Sequence, residues 1–210
     1  MSPYSEFGEK IISSQTLYIS LKGKGDKVKF RILGKPYYNG KHFTKDGDKW
    51  IVTPCPRINS KEDCDLCEKY FKTMAEANKN KKDKELFEAG KKEANKYKNT
   101  ISVYFPIINR DLEQFQIFQT KVGIKNKIDA EILLGTPILE RDFIVMRTEV
   151  PGSDYYTLSR VDSADSKDFT DKEKSEVKKF KEMDLEAVIN GVKDDESPIS
   201  EDINVDDIDL

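Results

Sequence analysis

The sequence predicts a mainly β protein with inserted helices, which places it in the α+β class. Short β-rich runs recur along the first 161 residues, and a stretch rich in Lys, Glu and Ala with helical spacing interrupts them. Leu, Ile, Val and Phe make up about a quarter of the 210 residues, which is enough for a hydrophobic core although 36% of the residues are charged. We therefore expect one domain of ordinary size with polar extensions rather than a membrane protein or a disordered chain.

The first clear strand is predicted at residues 27–33, which read KVKFRIL. Phe30 and its apolar neighbours at alternate positions fall on one side, whereas Lys29 and Arg31 fall on the other. This strand is therefore expected to bury one face and to present a cationic one. Further strands are predicted at residues 17–21, 49–53, 101–108, 114–120, 138–147 and 155–161.

Two helices are predicted between residues 65 and 98, separated by a mobile, basic connection at residues 78–83. Four apolar residues recur there at helical spacing, namely Leu66, Tyr70, Met74 and Ala77. A short helix near residues 126–134 and a charged helix near residues 171–190 follow. Six or seven short strands with an inserted helical region favour a small, modified β-barrel of the OB type.

The only histidine and all three cysteines lie close together in the sequence, at His42, Cys55, Cys64 and Cys67. Zn²⁺ prefers four tetrahedral ligands of thiolate sulfur and imidazole nitrogen, and the Cys64-Asp-Leu-Cys67 pair has the spacing of a metal knuckle. Three Cys and one His fill the shell and leave no position for an activated water, so we predict one structural zinc ion. The alternative is a buried His among small apolar Cys side chains.

The charge is unevenly distributed along the chain. Residues 194–210 hold eight acidic side chains and no Lys or Arg, which leaves the remainder at about +5. The apolar residues Ile203, Val205, Ile208 and Leu210 alternate with those acidic residues. This pattern favours a disordered docking peptide over a merely solvated segment.

No stretch of the sequence is long and apolar enough to span a membrane. Residues 1–14 lack the basic start and apolar run of a secretory signal, so we expect the protein to stay in a reducing cytoplasm. The predicted organisation is an N-terminal segment at residues 1–24, an OB-fold core at residues 25–161 with a zinc subdomain at about residues 40–98, a charged helical segment at residues 162–193 and an acidic tail at residues 194–210.

Many of the 21 aromatic residues stand beside Lys or Arg. A cation binds phosphate while a ring stacks on an exposed base, so this combination is typical of proteins that bind unpaired nucleic acid. The predicted contacts are Lys29, Arg31, Trp50, Lys96, Tyr97, Lys98, Tyr155, Tyr156 and Arg160. Aromatic residues can also be core, and this is the preferred interpretation for Phe30, Phe105, Phe118 and Phe143.

Residues 42–55, which read HFTKDGDKWIVTPC, followed by Cys64 and Cys67, resemble the zinc segment of the single-stranded DNA-binding proteins of T-even-type bacteriophages. Residues 28–33, 96–98 and 143–156 and the final VDDIDL resemble further parts of that family. The resemblance implies an OB-fold core that holds a single strand in a basic cleft between the zinc subdomain and the barrel, with aromatic rings along the cleft. It also implies an acidic tail that competes with DNA and docks onto replication or recombination proteins.

Three features depart from the family. The spacing before Cys64 is one residue shorter, and Lys61 stands where the family has a tyrosine. The basic N-terminal segment that the family uses for cooperative assembly has no counterpart in residues 1–20, which hold one Lys and two Glu. We therefore expect weak cooperativity.

The sequence thus predicts a sequence-independent single-stranded DNA-binding protein, not an enzyme, that acts in phage DNA replication, recombination and repair. It is expected to be a monomer without DNA, in the cytoplasm of the infected bacterial host. A zinc-stabilised protein–protein adaptor is one alternative, and an RNA-binding variant of the same fold is another.

Overall fold

The computed structural model describes residues 17–148, 156–181 and 183–191. These residues belong to two compact units: unit 1 comprises the described parts of residues 17–37 and 104–191, and unit 2 comprises residues 38–103. The fold is mixed α+β, as the sequence predicts, and the strands of the described residues pair mostly antiparallel. Among the described residues, no helix has both the length and the apolar character needed to cross a membrane.

Seven strands lie within these ranges: β1 Lys27–Ile32, β2 Tyr37–Asp46, β3 Lys49–Pro54, β4 Asn99–Asn109, β5 Gln114–Lys121, β6 Asp142–Arg147 and β7 Tyr156–Arg160. The helices are α1 Pro56–Asn59, α2 Asp65–Lys79, α3 Lys84–Asn95, α4 Val122–Leu133, α5 Asp171–Lys181 and α6 Leu185–Gly191, with a 3₁₀ turn at Ser163–Asp165. β4 passes through both units, since its first five residues belong to unit 2 and the rest to unit 1.

The sheet of unit 1 is centred on β1. This strand lies between β4 and β6 and runs antiparallel to both, with Phe30 opposite Asn109 on one side and Phe143 on the other. β7 extends the sheet beyond β6, and β5 pairs with β4. The sheet formed by the described strands is open, so the predicted OB-type barrel stays a prediction.

Aromatic residues fill the interior of unit 1. The ring of Phe30 lies 5.4 Å from that of Phe118 and 6.1 Å from that of Phe143, measured between centroids. These three residues and Phe105 are buried, as predicted.

The charged helices α5 and α6 are part of unit 1. Apolar residues of both helices pack against a second buried cluster that includes Tyr104, Ile108 and Phe115. Phe180 of α5 stacks on Phe115 with a centroid distance of 5.2 Å. The predicted charged segment therefore has an apolar side that completes the core.

Unit 2 contains a β-hairpin and a helical hairpin. β2 and β3 pair through a turn at Gly47, whose φ of 60° is in the left-handed region that glycine tolerates. The helices α2 and α3 follow, and the Asp83 side chain caps α3 by accepting from the Leu86 N–H at 3.1 Å. The prediction of two helices in this region is confirmed.

Several predicted elements have different bounds in the structure. Residues 17–21 contribute only an isolated parallel bridge between Tyr18 and Ile117 instead of a strand. β2 was not predicted, and α4 begins four residues before the expected start at residue 126. The helix predicted at residues 171–190 is divided into α5 and α6.

Candidate metal centre

Four buried side chains of unit 2 converge on one point. His42 comes from the middle of β2, Cys55 follows β3, and Cys64 and Cys67 come from the start of α2. Each is at most 5% exposed. Their ligand atoms all lie within 4.8 Å of one another, so the cluster predicted from sequence spacing could hold one metal ion.

The spacing of the ligand atoms fits a tetrahedral ion. With Zn–S bonds of about 2.3 Å, the sulfurs of a tetrahedron are about 3.8 Å apart, and a sulfur and a nitrogen are slightly closer. The Cys55 Sγ lies 4.0 Å from the Cys64 Sγ and 3.5 Å from the Cys67 Sγ. The His42 Nε2 lies 3.3 Å from the Cys64 Sγ and 3.6 Å from the Cys67 Sγ. The donor set and its geometry are therefore consistent with zinc.

Helix starts position the three sulfurs. Cys55 and Cys64 occupy the N-cap positions of α1 and α2, and Cys67 lies in the first turn of α2. A helix N-terminus favours negative charge, so these positions suit thiolates. Pro56, at the first position of α1, has the fixed φ that a helix start requires.

The backbone near Gly40 holds β2 against the chain around Cys55. The Cys55 N–H donates to the Gly40 carbonyl at 2.7 Å, and the Gly40 N–H donates to the Asn59 side-chain oxygen at the same distance. A Cβ at position 40 would lie 2.6 Å from the Cβ of Ile58, so only glycine allows this approach. His42, two residues further along β2, is thereby held near the sulfurs.

A second layer of contacts surrounds the ligands. The His42 Nδ1 lies 2.8 Å from the Tyr97 carbonyl, and donation from Nδ1–H to that oxygen leaves Nε2 free to bind a metal. The Asn99 amide nitrogen lies 3.5 Å from the Cys55 Sγ and 3.6 Å from the Cys67 Sγ. Sequence spacing did not identify Asn99, which lies 32 residues after Cys67.

The thiols of Cys55 and Cys67 differ in acidity. Burial acts to raise the pKa of Cys55, but hydrogen bonds from Asn99, from the Ile58 backbone and from the other two thiols bring that pKa below its ordinary value. Burial, reinforced by the neighbouring Cys55 and Cys64, raises the pKa of Cys67 to about 12. Three buried sulfurs cannot all be anionic at neutral pH without a compensating cation, and a bound divalent ion supplies that compensation.

The fold and the site together define an α+β protein with a candidate His-Cys₃ metal centre. No protein-family model matches the chain, and a search of curated proteins gives no match. A functional assignment therefore depends on the residues of the chain itself.

The predicted nucleic-acid contacts of unit 2 lie on its surface. Trp50 is 48% exposed on β3, and the Lys45 Nζ lies 4.8 Å from its ring centroid. Tyr97 is half-buried, with the Lys69 Nζ 5.9 Å from its ring centroid. Lys96 and Lys98 are exposed, and Lys96 pairs with Glu93.

A third cation–aromatic pair of unit 2 was not predicted from the sequence. Phe71, on α2, is 51% exposed, and the Arg57 guanidinium lies 5.2 Å from its ring centroid. Tyr70 contacts the same ring edge-on. The sequence carried a signal for this pair, because Phe71 stands beside Lys72 and is not one of the four apolar residues that recur at helical spacing.

Unit 1 places its predicted contacts in different surroundings. Arg160 on β7 is partly exposed and pairs with Glu131 at 3.1 Å. Tyr156 is half-buried at the start of β7, and its carbonyl accepts from the Lys127 Nζ. Tyr155 and the acidic residues 194–210 lie outside the described residues.

Lys29 and Arg31 of β1 do not form the expected open cationic face. Arg31 is 5% exposed, and its Nε donates at 2.7 Å to Asp142, which lies directly opposite on β6. The Lys29 Nζ and the Arg110 Nε lie 3.4 and 3.3 Å from the other oxygen of that carboxylate. A fully buried carboxylate requires cationic partners, so it holds Arg31 inside the unit.

Proposed function

We propose that this chain is a sequence-independent single-stranded DNA-binding protein. The observation that carries the proposal is the set of three aromatic rings in unit 2, each with a basic side chain over its face: Trp50 with Lys45, Phe71 with Arg57, and Tyr97 with Lys69. A half-exposed ring can stack on an unpaired base while the cation beside it neutralises a phosphate. Neither interaction depends on which base is present.

The charge of unit 2 supports a polyanionic ligand. Residues 38–103 contain 15 Lys and Arg against 11 Asp and Glu, a net charge of +4. A zinc ion with three thiolates and one neutral imidazole changes this by about −1 and leaves the unit positive. We assign to the centre one structural zinc ion, since four protein ligands close its coordination shell.

The proposed activity is binding without catalysis. A protein that binds unpaired strands and not duplex lowers the duplex melting temperature by mass action, without ATP. In this proposal the core of unit 1 is an OB-type barrel, and the protein coats single strands in phage replication, recombination and repair in the host cytoplasm. The acidic residues 194–210 compete with DNA for cationic surface and dock onto replication or recombination proteins.

Fluorescence titration with oligothymidine tests the proposal directly. Trp50 is the only tryptophan, so its emission reports stacking at one known position. We expect quenching on binding and a fall of about 0.7 in log K per unit of log salt for each phosphate neutralised. Equal affinity for single-stranded and duplex DNA, or no binding of either, would refute the proposal.

A second candidate function, a zinc-stabilised protein adaptor, is favoured by one observation. Leu133 and Leu134, at the end of α4, are 88% and 77% exposed, and Ile132 beside them is 47% exposed. Contiguous exposed apolar residues mark protein interaction surfaces. An adaptor would show neither Trp50 quenching nor a salt-dependent affinity for oligonucleotides. An RNA-binding variant would prefer the ribose version of the same oligonucleotide.

A further inference from the structure

The first residue of β4, Asn99, contacts the metal centre from outside the ligand set. Its amide nitrogen lies within 3.6 Å of two of the three sulfurs, those of Cys55 and Cys67. The Asn99 side chain is partly buried, and both sulfurs are buried. Two residues earlier, the Tyr97 carbonyl lies 2.8 Å from the ring of His42. The short segment at residues 97–99 therefore contacts three of the four candidate ligands.

The direction of this hydrogen bond matters chemically. An amide N–H₂ group can only donate, and a metal-bound thiolate can only accept. A centre with three thiolates around a divalent ion carries about one negative charge inside the protein, where charge is poorly solvated. One amide that donates to two sulfurs disperses that charge and lowers their nucleophilicity.

We propose that Asn99 is a positioning residue of the metal centre, which holds the Cys55 and Cys67 thiolates on the ion by donating a hydrogen bond to each. The contact ties the first residue of β4 to the start of α2, so the ion and the segment at residues 97–99 are ordered together. This inference depends on the metal centre and not on nucleic-acid binding. The test of this inference is therefore independent of the test of the proposed function.

Metal competition in the full-length protein tests the role of Asn99. Zinc affinity is measured against a chromophoric chelator for the wild type, Asn99→Ala, Asn99→Asp and Asn99→Ser. We expect Ala to weaken affinity by about 10- to 100-fold, the range found when outer hydrogen-bond partners of metal ligands are removed. Asn99→Asp should weaken zinc affinity further because it adds a negative charge beside an anionic centre. Asn99→Ser retains a hydrogen-bond donor, so its zinc affinity should fall less than that of Asn99→Ala. Asn78→Asp is the matched control, since it adds the same charge at an exposed position on α2.

Two further readouts separate this role from simple packing. In the cobalt-loaded protein, the sulfur-to-metal charge-transfer band should shift in Asn99→Ala and not in Asn78→Asp. Alkylation of the metal-loaded thiols by iodoacetamide should be faster in Asn99→Ala. Far-UV circular dichroism identifies any variant that loses its fold.

The inference is overturned if Asn99→Ala retains wild-type zinc affinity and alkylation rate. It is also overturned if Asn99→Asp binds zinc as tightly as the wild type, because the side chain would then contribute volume rather than a donor. Tighter binding by Asn99→Asp would instead make position 99 a ligand position and would contradict the assigned role. Loss of fold in Ala and Asp alone, with Ser folded and metal-bound, would support it.

Discussion

At the scale of single residues, each of the four candidate ligands supplies one of the four positions that a single tetrahedral ion would need. Cys64 is also the N-cap of α2, so its sulfur links metal binding to the start of that helix. Purified protein should contain close to one equivalent of zinc by elemental analysis. Cys64→Ser should reduce this content and make residues 40–100 sensitive to limited proteolysis, while Ser60→Ala, nearby but outside the cluster, should not. Full protease resistance in metal-free protein would rule out a structural role.

Phe71 and Leu86 offer a matched pair for the nucleic-acid proposal. Both are more than half exposed on helices of unit 2, but only Phe71 has a cation over a ring. Stacking on one base is worth about 1 to 3 kcal/mol. Phe71→Ala should therefore weaken oligothymidine binding by about 5- to 150-fold, measured by Trp50 quenching, and Leu86→Ala should leave it unchanged. Equal losses in the two variants would remove Phe71 from the interface.

The carboxyl group of Glu176 is expected to make the stability of the folded protein depend on pH. Burial acts to raise the pKa of this carboxyl group, but hydrogen bonds from Lys179 and from the Phe115 N–H bring the pKa below its ordinary value of 4.5. A depressed pKa in the folded state stabilises the protein above pH 4.5, and this contribution is lost as the pH falls through the lower folded value.

The measurement compares urea unfolding of the wild type and Glu176→Gln between pH 7 and pH 3. The wild type should be more stable at neutral pH, and the difference should shrink in the acid range. A difference that is constant with pH, or that grows in acid, would show that the carboxylate charge does not stabilise the fold.

At the scale of elements, the close approach of α2 and α3 depends on Gly90. A Cβ at this position would lie 2.7 Å from the Cβ of Ala77 and 3.2 Å from its Cα. Alanine is favoured over glycine in a helix by about 1 kcal/mol, but forcing an extra methyl group into a packed interface costs about 1 to 3 kcal/mol. We expect Gly90→Ala to lower the thermal midpoint of unit 2. Gly34→Ala, whose Cβ would meet nothing closer than 4.0 Å, is the control for the same chemical change.

The spacing of apolar residues identified the strands and helices that bury an apolar face. It missed the elements whose buried residues are polar or small. β2 was missed because its buried residues include Asn39, Gly40 and His42, which are polar or small and show no apolar alternation. The metal cluster accounts for the burial of His42, and the contact with α1 accounts for that of Gly40. The start of α4 has no side-chain cap, so the sequence carries no start signal there.

The division between α5 and α6 could have been found in the sequence. Asp184 accepts from the Ala187 N–H at 3.0 Å, which is the geometry of an N-cap, and the segment Asp-Leu-Glu-Ala reads as a helix start. The whole charged stretch was predicted as one helix and this signal was overlooked, although apolar residues of both helices pack against one cluster.

At the scale of the whole molecule, the ligand set was predictable and its surroundings were not. His42 and the three cysteines lie within one short stretch, and their chemistry restricts what they can bind. Asn99 and the Tyr97 carbonyl reach the centre only through the placement of β4. Arg31 was expected on an open cationic face because its partner, Asp142, lies 111 residues away and only strand pairing brings them together.

The ion cluster around Asp142 should be essential for the stability of unit 1. Its carboxylate is fully buried and contacts Arg31, Arg110 and Lys29, and Arg110 also contacts Glu173 of α5. Asp142→Asn leaves the cations without a compensating charge, and the expected loss of unfolding free energy is about 3 to 5 kcal/mol.

Glu131→Gln is the control for this substitution. It disturbs the partly exposed pair with Arg160 and should cost at most about 1 kcal/mol. Similar losses for the two variants in urea denaturation would contradict the special role of the buried cluster.

The two units differ in whether they are formed by one continuous segment of the chain. Unit 2 is continuous from residue 38 to residue 103, whereas the described strands of unit 1 come from before and after that stretch. During synthesis, the hairpin, the helical pair and all four candidate metal ligands are made before β5, β6 and β7. Capture of the ion can thus precede closure of the hydrophobic core. With zinc bound as proposed, a nascent chain halted on the ribosome after β4 has left the exit tunnel would already have its cysteines sequestered, and zinc starvation would disturb unit 2 before the core of unit 1 can close.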